Sequence, residues 1–261
     1  MSIKLLRILV ASALFVPSLL TAQGHRGIGE PTLDKKLMEM PAIRNSDVVL
    51  VYNGFVVNYN TERLIPNWVA YELTAEEVAG DVPRAKGFSM DLDYKDRQAM
   101  REDYSNTGWD KGHMAPSADM KWSQTAMNES FYLTNICPQN HTLNGREWHT
   151  LEKNIRDWAV KFGNVWVVCG PYVHANKYGT IGERQVVVPD GFFKAVLRQG
   201  GKNWLSIGFV FENESHKQPI KDAVVSVNDV EALIGYDLFT NLNDRFEEKI
   251  EAQASWTEWT K

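Results

Sequence analysis

The stretch Asn144-Gly145-Arg146-Glu147-Trp148-His149-Thr150-Leu151-Glu152-Lys153-Asn154-Ile155-Arg156-Asp157-Trp158-Ala159-Val160-Lys161-Phe162-Gly163 changes the hydrophobic rhythm of this chain. Trp148, Leu151, Ile155, Trp158 and Phe162 recur at three- and four-residue steps, which predicts a helix with one buried face. Gly163 stands where a C-cap is expected. Upstream, residues 48–52 and 55–59 are β-rich runs around Asn53-Gly54, a strong hairpin signal because both turn residues must accept positive φ. Residues 68–73 continue as a strand, and 74–109 are polar and irregular. Downstream, residues 165–169, 192–197 and 204–211 read as strands separated by Pro189-Asp190-Gly191 and Gly200-Gly201. Ser226 starts a further helix as its N-cap, with Val230, Leu233 and Ile234 on its apolar side. Leading strands, a mid-chain helix and returning hairpins make the fold α+β, with a mixed, mainly antiparallel central sheet flanked by helices.

The N-terminus reads as an export signal. Lys4 and Arg7 precede the apolar run 8–20, and Leu20-Thr21-Ala22 offers a small-residue cleavage site. The run is shorter than the ~20 residues a bilayer span needs, so residues 1–22 are expected to be cleaved, with no stable membrane insertion afterwards. The expected location is therefore secreted or periplasmic. Residues 23–46 read as a leader that wraps or dangles, and 47–261 as one domain. The net charge of −5 argues against coating nucleic acid through a broad basic face, but not against a cleft where a few basic groups converge. Cys137 and Cys169 read as two buried thiols, with a disulfide left open; there is no Cys-x-x-Cys redox pair.

The chemistry concentrates in Asp110-Lys111-Gly112-His113-Met114-Ala115-Pro116, followed by Asn135, Asn144, Glu152 and Arg156. Taken singly, Glu152 and Arg156 make a helical i,i+4 ion pair, and Asn144 an N-cap with Glu147 three residues on. On an ideal helix Asn144 lies about 80° around the axis from Glu152, so all three can look into one cleft. Together with the histidine they make the inventory of a phosphodiesterase. Imidazole, with a pKa of ~6.5, can take a proton from water near neutrality. Mg²⁺ stabilises charge on phosphate oxygens while keeping most of its own waters, so one amide ligand suffices. Glu152 would accept from that water and Arg156 would grip the phosphate.

These residues resemble the signature of the DNA/RNA non-specific endonucleases, the ββα-metal group that includes the Serratia-type secreted nuclease and endonuclease G. The likeness runs from about residue 48 to 248 and includes Pro83-Arg84, Cys169-Gly170-Pro171 and Phe192-Phe193-Lys194. It implies a ββα-metal active-site core, with His113 as general base, Asn144 as the direct metal ligand, and Glu152 holding the ion's water. Arg156 and Arg84 would bind phosphate, Lys111 would contact substrate, and Asn135 would line the site. The implied cofactor is Mg²⁺, with Mn²⁺ as a substitute. The implied partners are DNA and RNA, cut to 5′-phosphate ends, with a homodimer left open. Two departures stand out: Lys111 replaces the family's arginine, and Phe131 stands where some members carry asparagine. His141 and His149 have no zinc-ligand spacing and read as surface histidines. The competing reading is a catalytically inactive nucleic-acid-binding protein at the cell surface.

Overall fold

A computed structural model describes residues 37–200, 203–215, 219–242 and 244–260. Three strands open it: β1 (Val48–Val51), β2 (Val56–Asn60) and β3 (Ile65–Thr74). The short helix α1 (Ala75–Val78) leads through irregular chain to β4 (Asp110–His113), α2 (Gln124–Glu129) and β5 (Ile136–Gln139). Next come α3 (His141–Leu143), a π-helical turn (Asn144–Trp148) and α4 (His149–Phe162). The chain returns as β6 (Asn164–Tyr172), β7 (Thr180–Ile181), β8 (Val186–Val187), β9 (Gly191–Gly200) and β10 (Asn203–Glu212). It closes with β11 (Val224–Val225), α5 (Val227–Ile234), α6 (Asp244–Glu251) and α7 (Trp256–Thr260). No helix among the described residues is long and apolar enough to cross a membrane.

The main sheet has the order β1-β2-β3-β6-β9-β10-β11, and every neighbouring pair is antiparallel. Side chains alternate between its faces. Val69, Tyr71 and Leu73 of β3 enter one core with Leu151, Ile155 and Trp158 of α4. Trp68 and Ala70 enter the other with Val227 and Val230 of α5. Antiparallel sheets commonly leave one face to water. Here helices cover both, which explains why Val165-Trp166-Val167-Val168-Cys169 shows no polar alternation.

Residues 37–46, the described part of the expected leader, wrap onto the α5 side. Met38 is buried there, and Ala42 N donates to the Asp237 carbonyl at 2.7 Å. The expected signal peptide, 1–22, lies outside the described residues. The β1–β2 hairpin forms across Asn53-Gly54, with Val51 opposite Val56, yet neither turn residue takes a positive φ. Glycine serves close approach instead: a Cβ on Gly54 would lie 3.2 Å from both Ala126 Cβ and the Trp122 ring. Gly163, at φ 94°, does cap α4, and Ser226 caps α5 by accepting from Asp229 N.

β4 and β5 form a separate antiparallel pair, with Gly112 opposite Cys137 and His113 opposite Ile136. With α4 they make the expected ββα unit. Gly112 lacks the positive φ of a tight turn. Its place is set by crowding, since a Cβ would lie 2.7 Å from Cβ of the fully buried Gln139. Gly112→Ala should therefore cost about 1–3 kcal/mol of stability by overpacking, read as a lower denaturant midpoint.

Candidate active site

Two hydrogen bonds join β4 to the helical segment. Asn144 Nδ2 donates to Asp110 Oδ2 at 2.8 Å, and Trp148 Nε1 donates to the His113 carbonyl at 3.3 Å. The first and last residues of the π turn are thus tied to the first and last residues of β4. Asn144 is not an N-cap. That role belongs to Asn140, whose side chain accepts from Thr142 N and Leu143 N. Nor does the ideal-helix angle apply, because π geometry interrupts the α-helical spacing before Glu152. His141 is exposed but touches the site from outside, with Nδ1 3.0 Å from Asp110 Oδ2. His149 is exposed and 4.0 Å from Glu152.

His113 ends β4 between two aromatic rings, with centroids 5.2 Å from Phe88 and 4.9 Å from Phe131. Its Nε2 is buried without a hydrogen-bond partner among the described residues. Burial first, and then the charge of Arg84, push its pKa down to about 3. The imidazole is neutral at physiological pH. Arg84 lies over the Phe131 ring at 4.8 Å and donates to Ser117 Oγ. Phe131, the departure from the family pattern, thus forms a wall shared by the imidazole and the guanidinium. Lys111 Nζ sits 5.8 Å over Phe88 and 5.3 Å over Tyr104, on the same aromatic wall.

On α4, Glu152 and Arg156 do not pair with each other. Arg156 Nη1 donates to Asp119 Oδ1 at 2.7 Å. Burial opposes the charge of Arg156, and the Asp119 carboxylate outweighs it, so its pKa is raised. The side chain of Glu152 is 12% exposed. Burial drives its pKa to about 7 against the pull of Lys194, with Asp119 adding repulsion and Arg156 and Arg84 opposing it. Lys194 and Asp119, both fully buried, were not singled out as site residues from the sequence. Asp119 lies 37 residues from its partner, and no local spacing marks it.

Asn135 occupies a different place from the one expected. It is fully buried, its Oδ1 accepts from Ala115 N at 2.9 Å, and its Nδ2 donates to the carbonyls of Ala115 and Ser130. Its amide is spent holding the backbone beyond His113, which leaves it under the cleft rather than lining it. Two cavities, of about 510 and 800 Å³, lie away from all of these residues.

A family model described as DNA/RNA non-specific endonuclease matches residues 35–245. The chain belongs to this family. It is 32% identical over 209 residues to the mitochondrial nuclease EXOG of Mus musculus, covering 74% of this chain and 57% of that one. It is 30% identical over 209 residues to the mitochondrial endonuclease G of Bos taurus, covering 72% and 68%. A crystal structure of an EndoG/EndoGI complex, concerned with EndoG inhibition, superposes with a TM-score of 0.74 at 27% identity, covering 82% of this chain and 96% of that one. The chain thus spans little more than half the length of the EXOG relative. The secreted or periplasmic location expected from the N-terminus is overturned by these relatives, which are mitochondrial nucleases.

The raised Glu152 pKa has a measurable sign. The folded protein holds the Glu152 proton up to about pH 7, whereas the unfolded chain releases it near the ordinary value of 4.5. Stability present below pH 4.5 is therefore lost as pH rises toward 7. A shift of this size corresponds to on the order of 3 kcal/mol, several degrees of melting temperature in a chain this long. In chelator, Glu152→Gln should melt above the parent at pH 8 and level with it at pH 4.

Proposed function

We propose that residues 47–261 form a single nuclease domain. It acts as a sugar-non-specific endonuclease on DNA and RNA, hydrolysing phosphodiester bonds to leave 5′-phosphates. One observation carries the reading: a neutral histidine with an unspent, buried ring nitrogen stands beside Arg84, tied by β4 to the segment bearing Asn144, Glu152 and Arg156. His113 would take a proton from the attacking water. Arg156 and Arg84 would hold phosphate oxygens, and Lys111 would add charge from the aromatic wall. Arriving phosphate would screen Arg84 from the imidazole, lifting the pKa of His113 toward the range where a base is useful.

The family implies a divalent ion, and the donor set fits one kind. Among the described residues no cluster of three or more His, Cys, Asp or Glu side chains could hold a metal. This suits Mg²⁺, which keeps several waters, and does not suit a fully protein-ligated zinc centre. Asn144 spends its Nδ2 on Asp110, which leaves Oδ1 available as a ligand. Glu152, held on α4 near Asn144, would accept from the ion's hydration shell. When bound, the ion would neutralise charge building on the phosphate and the leaving oxygen.

Plasmid nicking in Mg²⁺, with a chelator control, tests this. His113→Ala should slow cleavage by ~10²–10⁴-fold, and Asn144→Ala should abolish metal-dependent cleavage, both with unchanged circular dichroism. Full activity in purified His113→Ala would overturn the assignment. Duplex binding without any cleavage by the parent protein would instead favour an inactive nucleic-acid binder.

A further inference from the structure

Beneath the cleft lies a layer of buried charge that the roles above do not use. Asp119 ends the single turn Ser117–Asp119 and is fully buried. Its Oδ1 accepts from Arg156 Nη1 at 2.7 Å, and its Oδ2 accepts from the Tyr71 hydroxyl at 3.0 Å. Lys194, fully buried in β9, donates from Nζ to the Met114 carbonyl at 3.3 Å and lies 4.3 Å over the Trp148 ring. Four separate pieces of chain, β3, the 117–119 turn, α4 and β9, converge here.

Buried ion pairs rarely stabilise a fold more than apolar residues of the same size would, so stability alone is a poor reason for this arrangement. A positional reason fits better. Arginine is long, and ordering it on binding costs rotamer entropy unless something has already fixed it. Its fork offers several N–H groups, of which Asp119 engages Nη1. The Arg156 side chain is 16% exposed, enough for part of the fork to reach the cleft.

We propose that Asp119 is a positioning residue for Arg156. It clamps one edge of the guanidinium so that another edge is presented to a phosphate, while the Tyr71 hydroxyl holds the clamp. This rests on the nuclease reading for its consequence in catalysis, but not for the clamp itself. Asp119 touches no substrate and acts through Arg156.

A double-mutant cycle reads the consequence. Asp119→Asn should slow plasmid cleavage about tenfold or more, in line with the up to ~10²-fold cost of a misplaced group. In an Arg156→Ala background the same change should have less than about a twofold effect, because the two residues act as a unit. Equal losses in both backgrounds, or no loss in the first, overturn the proposal. Tyr71→Phe, which removes one donor to Asp119 and keeps the core volume, repeats the cycle should Asp119→Asn not fold by thermal melting. A second measurement needs no activity. The Arg156 Nη1–H resonance, assigned by its disappearance in Arg156→Lys, should be sharp and slow to exchange in the parent, because Asp119 holds Nη1. It should be broad or fast-exchanging in Asp119→Asn and Tyr71→Phe. A parent that cuts no nucleic acid defeats the nuclease reading alone; an Arg156 signal unaltered in both variants defeats the clamp.

Discussion

The bonds from Asn144 Nδ2 to Asp110 and from Trp148 Nε1 to the His113 carbonyl set the distance between the two halves of the site. One half is a strand and the other a helix, and neither alone fixes where the other goes. Joining both ends of a four-residue strand to both ends of a five-residue turn leaves little freedom to slide or rotate. The π geometry is part of this fit. An extra residue in a helical turn displaces the side chains before it relative to those after, and such turns recur at functional sites. The amide of Asn144 is set by β4, and the carboxylate and guanidinium of α4 are set by the core.

The energetics of the cleft follow first from burial. His113 is neutral because burial and the charge of Arg84 disfavour its cation, and burial likewise raises the pKa of Glu152. Both perturbations come first from desolvation, with Arg84 adding to the first and Lys194, Arg156 and Arg84 opposing the second. Strongly perturbed groups gathered in one cleft are the usual mark of a functional site.

Much of this was legible in the sequence because it is local. The Gly163 cap, the Ser226 cap and the buried stripe of Leu151, Ile155 and Trp158 need only near neighbours to be read. What escaped depends on contacts between distant segments. Asn53-Gly54 makes a hairpin by packing under α2 rather than by its own dihedral preference. Asn140 took the cap expected of Asn144, because the helical segment already starts at His141 and Asn144 lies within it in right-handed helical geometry. Arg156 chose Asp119 over its helical neighbour Glu152. Asn135 has the residue type of a cleft amide, but three backbone partners draw it inside. The N-terminal segment carries a pattern of charge and hydropathy that reads as export, and a resemblance over the folded part points elsewhere.

Cys137 and Cys169 are free, and neither sulfur meets solvent. Burial raises the Cys137 thiol well above its ordinary range and that of Cys169 to about 11. Since the thiolate is the form that oxidants and electrophiles attack, both positions are chemically quiet. The fold consequently needs no oxidising agent to mature and loses nothing to a reducing one, so its architecture is indifferent to glutathione.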